Sequence, residues 1–169
     1  KSKGIPAGEF NWKTGAVSEK VACDNRYTNI VATEFAGSND TTFSKTSAYT
    51  EETIDKDECL CALPYKFPHK IINPEASDEV VKYDLPYLEL SQGNGNRTTC
   101  RVVDVGPHNG NDESPADPYW MNPGNNACRP RRESVNADNL AGIDLTPGCF
   151  QRLHVKDGER MIKVDWRFI

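Results

Sequence analysis

Apolar and polar positions alternate most cleanly at the C-terminal end of the chain. Ile162, Val164, Trp166 and Phe168 alternate there with Lys163, Asp165 and Arg167. A period of two turns one face of a strand to a core and the other to water, so residues 161–169 predict a strand. A second strand is predicted over 99–105, where Cys100, Val102 and the polar Asp104 fall on one face. Shorter runs predict strands at 30–35, 58–63, 80–83 and 87–90. One helix is predicted over 146–153, with Thr146 as cap, Pro147 in the first turn and Phe150 and Leu153 on one face. Residues 37–50, 73–78 and 107–139 read as loops; the last is long enough to be functional or separately folded. Short strands with 12 Gly and 11 Pro spread between them suit an all-β sandwich or barrel.

Composition narrows the function classes. The chain has 169 residues, enough for one domain with a core of its own. Lys and Arg number 20 against 25 Asp and Glu, a net charge of -5. That balance argues against nucleic acid, which needs clustered positive charge. Mean hydropathy is low at -0.68, but 6 Phe, 6 Tyr and 3 Trp oppose full disorder. No apolar run reaches the roughly 20 residues of a membrane helix. The chain begins at Lys1, which reads as a trimmed or excised N-terminus.

Cysteines stand at Cys23, Cys59, Cys61, Cys100, Cys128 and Cys149. The number is even and no Cys-x-x-Cys occurs, so the expectation is three disulfides in an exported protein, with no metal site. Cys59 and Cys61 share a side of an extended chain but lie too far apart to bond each other. Residues 1–28 read as an irregular N-terminal arm tied down by Cys23.

Two acids stand out by their apolar neighbours. Asp104 lies in Val102-Val103-Asp104-Val105-Gly106-Pro107, and Asp144 in Ala141-Gly142-Ile143-Asp144-Leu145-Thr146-Pro147. Apolar surroundings disfavour the charged form and raise a carboxyl pKa. Such an acid can donate a proton to a leaving oxygen, and paired carboxylates are the usual means of cleaving a glycosidic bond. The competing reading is that each acid caps a turn. Tyr119 and Trp120 in the long loop are candidates to stack on a sugar ring, or else pack that loop onto the barrel. His108, four residues beyond Asp104, is a candidate proton-transfer partner. Asp112, Glu113 and Asp117 read as a solvated acidic loop rather than a Ca²⁺ site.

With these residues in view, the chain resembles a superfamily. Val102 to Pro107 resembles the V-x-D-R-G-P strand of the rare lipoprotein A-like double-psi β-barrels, and Gly142 to Pro147 their x-I-D-L-S segment. The second run is also similar to H-F-D-L-S of expansins and H-F-D-L of family 45 endoglucanases. Phe150-Gln151-Arg152-Leu153 is similar to the expansin F-Q-R-I, Ile30 to Phe35 to a G-x-A-T-x-Y strand, and Ala62 to Tyr65 to a T-L-P-F strand. Some family residues are replaced: Val105 stands where the Arg of D-R-G-P does, Leu60 falls at a family histidine, and Glu51 is the nearest residue to a family Glu.

The resemblance implies a six-stranded double-psi β-barrel over 29–169, with a short helix, long disulfide-tied loops and a groove for an extended polysaccharide. It implies Asp144 as general acid and Asp104 as the second carboxylate; Thr33, His108, Tyr119 and Trp120 are the candidate substrate-binding residues. The expected function is a secreted, monomeric, cofactor-free protein that cleaves cell-wall glycan strands in the manner of a lytic transglycosylase. Its partner would be peptidoglycan or a cellulose-like glycan, and no membrane span is expected. The alternatives are a non-catalytic, expansin-like wall-loosening or carbohydrate-binding module, and a secreted barrel that binds another protein.

Overall fold

The computed structural model describes residues 10–11, 16–17, 26–38, 40, 46–50, 52–67, 85–93, 95–108, 117–121, 128–135 and 139–169. Strands β1 (Phe10–Asn11) and β2 (Ala16–Val17) form a small antiparallel pair. The rest is built on β3 (Tyr27–Glu34), β4 (Leu60–Leu63), β5 (Tyr87–Ser91), β6 (Arg97–Val105), β7 (Ile143–Leu145) and β8 (Met161–Phe168). These six close into a barrel in the order β3-β7-β4-β6-β5-β8. Pairs β3–β7 and β4–β6 are parallel and the other four are antiparallel. This is the closed six-stranded all-β barrel expected from the sequence. Closure leaves none of these six strands with a free edge to template pairing with another chain.

The alternation read in β8 holds: Ile162, Val164, Trp166 and Phe168 are buried, while Lys163 and Arg167 are exposed. They meet Ile30, Leu88, Leu90, Ile143 and Leu145 in the interior. Each such side chain stabilises the fold by about 1.5–3 kcal/mol relative to exposure. The strands predicted at 30–35, 58–63 and 87–90 are present with shifted ends, whereas residues 80–83 and 73–78 lie outside the described residues. β7 was not read as a strand: three residues are too short a run to show a period.

The helix α2 (Pro147–Arg152) follows Thr146, as the capping pattern predicts. The Thr146 hydroxyl does not cap it. It donates to Glu58 O at 2.5 Å and accepts from Leu60 N at 3.0 Å, which ties the helix start to the entry of β4. Gly148 then passes so close to residues 57 and 58 that a Cβ there would lie 2.4 Å from Asp57 O and 2.5 Å from Glu58 O. A disulfide joins Cys59, just before β4, to Cys149 in this helix. Cys128 is also disulfide-bonded. Cys61 and Cys100 are not: both are free thiols buried in the barrel. The expectation of six bonded cysteines is corrected at these two, which lie on the inward faces of β4 and β6 and pack as small apolar side chains. Cys23 lies outside the described residues.

Candidate acid site on the barrel wall

The two acids arrive from different strands and meet on one row. In the parallel pair β3–β7, Thr33 lies opposite Asp144. In the antiparallel pair β4–β7, Asp144 lies opposite Ala62. In the parallel pair β4–β6, Ala62 lies opposite Asp104. The order across the wall is therefore Thr33, Asp144, Ala62, Asp104. Neighbouring strands are about 4.8 Å apart, so the two acids are separated by two steps, roughly 10 Å.

A bulge makes this row possible. Cys61 pairs with Val102, yet the next residue, Ala62, pairs with Asp104, so β6 carries one residue more than β4. Strict alternation would have placed Asp104 on the face of Cys100 and Val102, both of which are core residues. The extra residue takes Asp104 out of that period, and Val105 then resumes packing against the core. The single-face reading of 99–105 is corrected here.

Asp144 is partly buried on β7. Thr33 Oγ1 donates to its Oδ1 at 2.6 Å. A Cβ on Gly106 would lie 2.9 Å from Asp144 Oδ2, so a larger residue there would push on the carboxyl group. Burial pushes the Asp144 pKa up to about 7, the bond from Thr33 and the charge of Arg132 oppose that rise, and the carboxylates of Asp40 and Asp104 add to it. Half of such groups therefore hold a proton near neutrality.

Asp104 is also partly buried, and its pKa is raised by burial. Ala48 N donates to its Oδ1 at 2.9 Å. Bonds from Ala48 and Val105 and the charge of His108 work against the rise. His108 is exposed, one residue beyond Pro107. The wall between the acids is covered: Ala62 is only 1% exposed and packs with Phe35, Ala36, Ile54 and Leu60 in a small apolar cluster separate from the main core.

Arg132 is the cation beside Asp144, and sequence reading did not single it out. It sits on α1 (Arg131–Ser134), inside the long loop. Arg131 N donates to Asp117 Oδ2 at 2.6 Å, and Arg129 grips Glu133 while donating to the carbonyls of Thr28 and Asn29 on β3. These bonds pin the segment to the barrel. The Arg132 Nη1 donates to His108 O, and its Nε is buried without a hydrogen-bond partner among the described residues. The run Arg129-Pro130-Arg131-Arg132 was the available signal. Asp40 had none beyond a polar loop. Asp117 corrects the solvated-loop reading at its own position, because it is buried and organises the start of α1.

Tyr119 and Trp120 are corrected as substrate-stacking residues. Both are fully buried. The Tyr119 hydroxyl donates to Gly142 O at 3.0 Å and accepts from Trp166 Nε1 at 2.9 Å. Trp120 stacks on Phe67 and meets Tyr65, Trp166 and Phe168 edge to face. Large aromatic surfaces gain more from the core than from a wet loop, so the turn Tyr119–Met121 acts as a plug.

The structure thus defines a class: a closed six-stranded β-barrel with a row of two partly buried acids on its wall. Among the described residues no group of three or more His, Cys, Asp or Glu could hold a metal ion, and no helix is long and apolar enough to cross a membrane. No family model and no curated protein sequence matches the chain. Among solved structures it is similar to a Streptomyces papain inhibitor, with 16% identity, a TM-score of 0.45, and coverage of 89% of this chain and 99% of that one.

Proposed function

We propose that the protein is exported and acts on a cell-wall polysaccharide, with Asp144 donating a proton to the glycosidic oxygen. The observation that carries this reading is the row Thr33, Asp144, Ala62, Asp104, which sets two acids with raised pKa on one wall, two strand steps or roughly 10 Å of backbone apart. About half of the Asp144 carboxyls hold a proton near neutral pH, and Asp144 is the donor. Asp104 stands two strands away, where its negative charge stabilises the cation-like sugar of the transition state. A backbone row of that width is wider than the roughly 5 Å between carboxyl groups that direct nucleophilic attack takes. It leaves room for water, or for the sugar's own hydroxyl, as the attacking group. A disulfide-bonded barrel suits an oxidising, extracytoplasmic compartment.

The experiment is incubation with purified peptidoglycan and with cellulose, followed by mass analysis of soluble products, for the wild type and Asp144→Asn. Anhydro-sugar ends, reduced at least ~10²-fold in the Asn variant, support the transglycosylase reading. Full activity in Asp144→Asn rejects it. A second reading, binding without cleavage, is favoured by the covered wall at Ala62 and by the loss of Tyr119 and Trp120 to the core. Retention on the insoluble glycan with no released product supports that reading.

A further inference from the structure

A cavity of about 580 Å³ opens on the outer side of β4, β6 and β5, next to the acid row. Ile54, Leu60 and Val103 give it apolar lining, and Ser47, Thr50, Thr53 and Thr99 bring hydroxyls to it. Tyr87 lines it with 46% of its surface exposed, and the Arg101 guanidinium carbon lies 5.9 Å from the centre of that ring. Arg101 also lines the cavity, and its Nε and Nη2 are buried without a hydrogen-bond partner among the described residues.

Those two atoms form one edge of the guanidinium, the edge that grips a carboxylate with two parallel bonds. Two other arginines of this chain use it in that way. Arg129 holds Glu133 through Nε and Nη2 at 2.9 and 2.6 Å. Arg167 holds Glu89 through the same atoms at 3.2 and 3.3 Å. Among the described residues, no carboxylate sits on the same fork of Arg101. A buried, unpaired charged edge is costly, and a planar carboxylate is the group that relieves it. Glu52, Asp55 and Glu58 line the same cavity but are exposed, where water and salt weaken their field.

We propose that the Arg101 cavity is a subsite for a carboxylate-bearing sugar unit, taking the carboxylate on the Nε/Nη2 edge and the ring against Tyr87. This rests on the wall-polysaccharide reading and names its substrate class: an acidic glycan. The placement fits an extended chain, since Arg101 and Asp104 lie opposite Leu60 and Ala62 across the bulge, about 7 Å apart along the strand. The unit beside Asp104 and the unit beside Arg101 would belong to one strand of glycan.

The test is calorimetric titration of the whole 169-residue chain. The probes are a tetragalacturonate, its carboxyl-reduced counterpart, and a peptide-free peptidoglycan tetrasaccharide carrying lactyl carboxylates. The expected result is at least tenfold tighter binding of one acidic probe than of the neutral one. Which acidic probe binds tells a uronic acid from a lactyl ether. Arg101→Met, which keeps the aliphatic stem, should erase that difference. Should that variant fail to fold, the side-chain Nε–H signal of Arg101 in the wild type should shift on adding the acidic probe. Equal affinity for acidic and neutral probes, an unmoved Arg101 signal, or an acid preference that survives Arg101→Met overturns the subsite. Acid-selective binding without product release leaves the subsite standing and overturns cleavage, so the two failures are told apart.

Discussion

Thr33 Oγ1 donates a 2.6 Å hydrogen bond to Asp144 Oδ1 across the parallel pair β3–β7, joining residues 111 apart in sequence. A donor to a carboxylate favours its charged form, so this bond opposes the rise that burial produces. Thr33→Val, close in shape but without the hydroxyl, should therefore move the Asp144 titration above about 7, whereas Thr33→Ser should leave it nearly in place. Carboxyl ¹³C shifts followed against pH measure this directly. An unchanged or lowered midpoint in the valine variant would show that the bond does not tune the acid.

The same burial makes stability depend on pH. A free Asp titrates near 3.9, while Asp144 in the fold titrates at about 7. Between these values the native state binds more protons than the unfolded chain, so stability falls as pH rises through that window. The contribution is complete below about pH 4 and lost above about pH 7, and a shift of this size corresponds to at most about 4 kcal/mol. Asp104 and Asp117, also raised by burial, add slope of the same sign. Asp144→Asn should remove the largest part of it. Urea unfolding at pH 4.5 and pH 8 checks this, and a variant as pH-sensitive as the wild type would contradict it.

The cysteines divide into two kinds. Closing a loop across a sequence separation of 90 gives the Cys59–Cys149 bond a contribution of about 2–5 kcal/mol, so a Cys59→Ala/Cys149→Ala double variant should lose that much in denaturant unfolding. Cys61 and Cys100 should resist alkylation in the folded protein and react once it is unfolded. Burial raises the Cys61 thiol pKa far above its ordinary value, which leaves little thiolate to react. Peptide mapping after alkylation, with and without denaturant and without reductant, tests this. A mapped disulfide at Cys61 or Cys100 would sink it.

Much of the barrel was legible because burial writes itself into period. β8 shows its inward face in every second residue, and the Thr146-Pro147 pair marks the start of α2. Both acids were legible too, since a lone Asp between Val or Ile and Leu neighbours is conspicuous. Local pattern could not assign partners. Tyr119 and Trp120 sit in a loop without period, and their aromatic mass was compatible with either a ligand or a core. Long-range packing against Phe67 and Trp166 decided it.

What the chain order by itself determined is the set of inward faces, the helix start and the chemical type of the site: two carboxyls in apolar settings. The tertiary structure alone decided that these carboxyls share a row, that Arg132 stands beside one of them, and that the Arg101 fork has no partner among the described residues. The physical reason lies in β6. Side-chain direction in a strand follows a period of two, and one extra residue opposite Ala62 shifts that period. The bulge is a property of how β6 pairs with β4, so it exists only once the barrel has closed.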